Sequence, residues 1–97
     1  MIYISGPISG DPNYLKKFAN AEHYLASHYS GNVINPASVL SRLPLPELEY
    51  KDLMRLCLDL LSMCDSICML QGWRESRGAV LEYHYAVTHD FRIIFQD

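Results

Sequence analysis

Hydrophobic and polar positions along the chain switch between two periods, and the switches mark its elements. Residues 1–5, MIYIS, form a short β-rich run that Gly6 breaks. Residues 6–12, GPISGDP, form a turn-rich loop with two Gly and two Pro. From residue 14 to 30, Leu15, Phe18, Ala19, Ala21, Tyr24 and Leu25 recur at largely helical intervals. NVINP, residues 32–36, reads as a second short strand closed by Pro36. Residues 37–50, ASVLSRLPLPELEY, are irregular and Pro-punctuated, and predict an exposed, mobile crossover.

The clearest helix is KDLMRLCLDLLSMCD, residues 51–65. Its Leu53, Leu56, Cys57, Leu60, Leu61 and Cys64 follow the i, i+3, i+4, i+7 rule and form one buried stripe. SICML (66–70) then reads as an apolar strand, residues 76–89 as a third helix, and RIIFQ (92–96) as a closing strand. This alternation predicts an α/β fold with a small four-stranded parallel sheet and helices on both faces. The natural strand order is 2-1-3-4. It puts a topological switch between the first and third strands, with the ligand site beyond their carboxyl ends. GPISG and LQGWRES would meet there, and their glycines suit close approach of a ligand to the backbone.

Composition narrows the classes of function. At 97 residues the chain reads as one domain, 1–97, with no repeat, linker or low-complexity tract. A net charge of -3, with eight scattered Lys and Arg, speaks against a nucleic-acid partner, which needs a clustered basic face. No segment reaches the roughly 18 apolar residues of a membrane span. MIYISGPISG lacks the basic start and long apolar stretch of a signal peptide, so a cytoplasmic protein is expected. Cys57, Cys64 and Cys68 read as reduced core residues without zinc-site spacing. Met54 and Met63 fall outside the middle helix's stripe, and Tyr83, Tyr85 and Val87 spread over the last helix. So small a domain is expected to cover that surface as a homodimer or higher homo-oligomer.

Candidate chemistry gathers at the two loops. Ser76 is a good N-cap, and Gly78 leaves the first helical turn without a Cβ in the way. The pair suits a phosphate or other anion, and equally an ordinary cap followed by a packing glycine. Glu82 follows Gly78 on the same helix face, roughly 6 Å along the axis. Among Leu81, Tyr83 and Tyr85 it reads either as a desolvated acid with a raised pKa or as a surface carboxylate. GPISG is neither a Walker loop nor a GxGxxG fingerprint. Trp73 stacks on a base or covers the sheet edge. Tyr3 needs a hydrogen-bond partner if buried, and Asn35-Pro36 reads as a rigid turn.

Among the other acids, Asp65 sits at the amino end of its strand and reads as a turn residue. Asp59 lies about 200° around the helix from Cys57 and pairs at i, i+4 with Arg55 as a surface ion pair. Asp52 is the better-placed second acid. His23, His28, His84 and His89 form no ligand pair, so no metal is expected.

MIYISGPISG and LQGWRESRGAVLEYHYA together resemble the nucleoside 2-deoxyribosyltransferase-like superfamily, in its short DUF4406-type branch. The late pattern, GW, then S, then GA, then E, carries most of the likeness. The resemblance implies a flavodoxin-like, Rossmann-like three-layer sandwich that cleaves the N-glycosidic bond of a deoxynucleoside or its 5'-monophosphate, as hydrolase or transferase. It implies Glu82 as glycosyl nucleophile, with Tyr3 and Gly6, Pro7, Ile8, Ser9 and Gly10 lining sugar and base. Ser76 and Gly78 would hold a 5'-phosphate, and no metal or organic cofactor would be needed. The sequence departs from the pattern at one place. Active relatives have an Asp eight residues before the Asp that opens the next strand; here that position is Cys57. Asp52 or Asp59 would have to substitute. Two readings of other classes stand beside the enzyme: a nucleotide-binding or sensing module that kept the pocket, and a structural dimer with a vestigial one.

Overall fold

A computed structural model describes residues 1–96. Four parallel strands, β1 (Ile2–Ser5), β2 (Val33–Ile34), β3 (Ser66–Met69) and β4 (Arg92–Phe95), form one sheet in the order β2-β1-β3-β4. They alternate with α1 (Tyr14–His28), α2 (Pro36–Leu40), α3 (Tyr50–Ser62) and α4 (Arg77–Thr88). The predicted α/β architecture, the flanking helices and the strand order are all present. Right-handed crossovers dictate the layering. The chain first steps outward from β1 to β2, then reverses across β1 to β3. That reversal leaves α1 on one face and α3 and α4 on the other.

Strand alternation sorts the core into two halves. Ile2, Ile4 and Cys68 face α1 and pack with Phe18, Ala21 and Leu25. Tyr3, Ile67 and Met69 face α3 and α4 and pack with Cys57, Leu61, Ala79 and Ala86. The register pairs Tyr3 with Ile67 and Ser5 with Met69, so one face runs unbroken from β1 to β3. β1 and β3 are buried throughout, whereas β2 and β4 at the edges are only partly covered.

Residues 37–50 are more ordered than their composition predicts. Asn35 caps α2 by accepting from Ser38 N–H at 3.2 Å, and Pro36 supplies the fixed φ of the first helical position. Ala37 and Leu40 are buried, and a 3-10 turn, Leu45–Glu47, follows. A cap and a proline thus build a short helix where proline content reads as an open loop. Asn35-Pro36 is accordingly a helix start rather than a turn alone. Arg55 and Asp59 are not among the ion pairs of the described residues, which are Met1 N-terminus–Asp65, Lys17–Asp11 and Lys51–Glu49. Asp65 therefore anchors the amino terminus. Cys57, Cys64 and Cys68 are free thiols. No described helix is long and apolar enough to cross a membrane, and no described cluster of His, Cys, Asp and Glu fits a metal ion.

Candidate active site

The carboxyl end of β1 and the start of α4 open into a cavity of about 390 Å³, a size usual for small-molecule sites. Its floor is built by periodicity. Tyr3 and Ser5 are two residues apart on β1, so both side chains emerge on the α4 side. Glu82 lies on the inward face of α4 and is only 6% exposed. The Tyr3 hydroxyl donates to Glu82 Oε2 at 2.5 Å, and the Ser5 hydroxyl donates to Oε1 at 2.6 Å. Both carboxyl oxygens are thereby oriented, and the acid is buried without an ion-pair partner among the described residues. Of the two readings of Glu82, the solvated surface carboxylate is excluded.

Burial pushes the Glu82 carboxyl up from 4.5 to about 7, and the Ser5 and Tyr3 hydrogen bonds pull against that rise. Burial, with the Glu82 charge beside it, holds the Tyr3 hydroxyl well above its ordinary value of 10.0. Tyr3 therefore stays protonated and serves as a donor. The Cys57 thiol projects from α3 onto the same floor, where burial and the Glu82 charge push it up to about 11. It is a neutral thiol at physiological pH.

Above the floor the walls are mostly apolar. Ile4, Pro7, Ile8 and Phe18 come from β1, its loop and α1; Leu40, Leu53 and Met54 come from α2 and α3. Ser9, Tyr50, Glu75, Ser76 and Arg77 line it too, and the Arg77 guanidinium lies 5.1 Å from the Tyr50 ring centroid. Ser76 caps α4 by accepting from Ala79 N–H at 3.3 Å, and the first helical bond runs from Val80 N–H to Ser76 C=O at 2.9 Å. The Arg77 and Gly78 amides precede that bond and are the orphan donors of the helix start.

Most of the expected site residues converge: Tyr3, Gly6, Pro7, Ile8, Ser9, Ser76, Gly78 and Glu82 all line the cavity. Three do not. Trp73 is buried beneath the loop, its ring 4.5 Å from Tyr83 and 6.3 Å from Phe95, so it covers the sheet edge instead of facing a base. Gly10 is exposed at φ +81, a turn position outside the lining. Asp52 accepts from Glu49 N–H at 3.2 Å; capping α3 turns its carboxylate away from the cavity.

The glycines also serve packing more than expected. A Cβ on Gly6 would sit 2.8 Å from Leu70 Cβ, and one on Gly78 would sit 3.1 Å from Met54 Sδ. Gly6 thus lets two loops meet, and Gly78 leaves room for the Met54 side chain of α3. Ser5, Glu75, Arg77 and Tyr50 were not singled out in the sequence. Ser5 had a signal, since alternation from Tyr3 puts it on the same face.

Over residues 1–95 the chain matches the family described as Domain of unknown function (DUF4406). The chain belongs to this DUF4406 family. No curated protein and no solved structure matches it.

Proposed function

We propose that this DUF4406 domain cleaves the N-glycosidic bond of a nucleoside or its 5'-monophosphate, with Glu82 as nucleophile. The observation that carries this reading is Glu82 itself: a buried carboxylate at the floor of a ligand-sized cavity, each oxygen held by one hydroxyl donor. A carboxylate so fixed suits attack on an anomeric carbon. One Glu82 oxygen forms a bond to C1' while the C1'–N bond breaks and its electron pair leaves with the base. Water then attacks C1' of the glycosyl ester, returns the electron pair to Glu82 and loses a proton to solvent. If a second base attacks instead, the outcome is transfer. Tyr3 and Ser5 hold the carboxylate in register and bind its charge as the ester is cleaved. The α4 amino terminus, with Ser76, Gly78 and Arg77, suits the 5'-phosphate. The reading agrees with the resemblance to nucleoside 2-deoxyribosyltransferases carried by the two loops.

One observation favours a second reading, a nucleotide-binding or sensing module. Cys57 puts a neutral thiol beside Glu82, where a carboxylic acid would protonate a leaving base. Incubation with a panel of nucleosides and 5'-monophosphates separates the two. Free base that disappears with Glu82→Gln supports the enzyme. No free base, with nucleotides raising the melting temperature, supports the module.

A further inference from the structure

Resting on the glycoside-cleaving reading, we propose that the cavity takes N-glycosides whose base is already cationic, a pyridinium or an N7-alkylated purine, in preference to neutral nucleosides. The argument starts from proton supply. A neutral nucleoside expels its base as an anion unless a general acid donates a proton, and such donation contributes about 10²- to 10⁴-fold. The side chains that touch Glu82 do not provide it. The Tyr3 and Ser5 hydroxyls are committed to Glu82 and the Cys57 thiol is a weak acid. The other carboxylate on the lining, Glu75, is exposed and precedes the α4 cap. Glu82 lies six residues beyond that cap, roughly 9 Å along the axis, whereas retaining glycosidases hold their two carboxyls about 5 Å apart.

A cationic base removes the requirement. The Glu82 carboxylate forms the C1'–O bond, the C1'–N pair passes to the ring nitrogen, and the base leaves neutral with no proton moved. Water then hydrolyses the ester as above. The environment favours this charge type. A carboxylate and a cation combine to give a neutral ester and a neutral base, so charge disappears along the reaction. Apolar walls of Ile4, Ile8, Phe18, Leu53 and Met54, which weaken solvation of separated charges, therefore assist it. The Tyr50 ring on the lining already holds one cation, the Arg77 guanidinium, 5.1 Å from its centroid. With Glu82 ionised, Glu75 and Glu82 outweigh Arg77 on the lining.

The test compares 7-methyl-2'-deoxyguanosine 5'-monophosphate with 2'-deoxyguanosine 5'-monophosphate, a pair differing in one methyl group and one charge. Nicotinamide mononucleotide forms the pyridinium arm. Each rate is divided by its uncatalysed rate, because alkylated purines depurinate by themselves. The expected result is an enhancement at least 100-fold larger for one or both cationic substrates. Release of nicotinamide without 7-methylguanine, or the reverse, assigns the class of base. Equal or larger enhancement of the neutral nucleotide overturns this proposal and leaves the glycosidase reading standing. No Glu82-dependent release from any substrate overturns both. Cys57→Asp, which installs an acid beside Glu82, is expected to narrow the cationic-to-neutral ratio; an unchanged ratio in a folded variant counts against the proposal. If that variant does not fold, the matched pair in the native protein still decides.

Discussion

Tyr3, in the middle of β1, donates its hydroxyl to Oε2 of Glu82, 79 residues later on α4, across the core face of the sheet. Ser5 reaches the other oxygen from the same strand face. The contact joins the first and last thirds of the chain and fixes a carboxylate where water has little access. Nearly everything expected of the site follows from this arrangement.

Glu82→Gln and Glu82→Ala are expected to lower base release by 10⁴-fold or more, as is typical on the order of magnitude when a nucleophile is removed. Circular dichroism should show the fold retained in the Gln variant. Turnover at wild-type rate by either variant would remove Glu82 from the mechanism.

The nucleophile must be ionised, so kcat/KM should rise with pH along a limb centred near 7, the value to which burial pushes Glu82. Tyr3→Phe and Ser5→Ala each remove a donor that stabilises the carboxylate, so each should move the limb to higher pH. A limb that stays in place in both variants would mean that another group titrates.

Stability should show the same group with the opposite sense. The folded-state value of Glu82 is raised above its unfolded 4.5, so the native state holds the proton more tightly. Its contribution is fully present below about pH 4.5 and is lost as pH rises through about 7, on the order of 3 kcal/mol. Glu82→Gln, neutral at every pH, should therefore unfold at higher denaturant than wild type at pH 8, with the gap closing toward pH 5. Denaturant midpoints across that range check it, and a gap independent of pH would refute it.

Affinity should depend on phosphate. If the α4 start binds the 5'-phosphate, calorimetry should give tighter binding for monophosphates than for matching nucleosides, and Arg77→Ala should reduce the difference. Gly78→Val is the poorer probe, because its side chain meets Met54 as well as any ligand. Equal affinity for both ligand classes in the native protein would point to a nucleoside pocket.

Self-association is expected through α3, α4 and β4, where Met63, Leu81, Val87 and Phe95 are 56%, 45%, 48% and 47% exposed. Met54 and Tyr83 drop out of that surface, since Met54 lines the cavity and Tyr83 packs on Trp73. Isologous pairing would cover these residues. Sedimentation at micromolar concentration should give a mass above 11.1 kDa; a monomer at all concentrations would refute it.

Periodicity by itself determined the α/β class, the four strands and the three long helices near their observed bounds, but not the short α2, because burial of one helix face and two strand faces leaves its period in the residues. Strand order followed as well, since right-handed crossovers leave few alternatives. The convergence of the GPISG and LQGWRES loops was therefore legible in the sequence. What the sequence left open at Glu82 and Trp73 was a question of direction. Both positions fit an exposed or a buried side chain until packing chose, and packing turned Glu82 onto β1 and Trp73 onto Tyr83. Asp52 carries the same lesson in reverse: it is spent on a local need, a helix cap, that spacing cannot distinguish from a site. The pairing of Tyr3 and Ser5 with Glu82 belongs to the tertiary structure alone. A hydrogen bond between residues 79 apart leaves no periodic trace, and only the sheet register and the seat of α4 bring those atoms together.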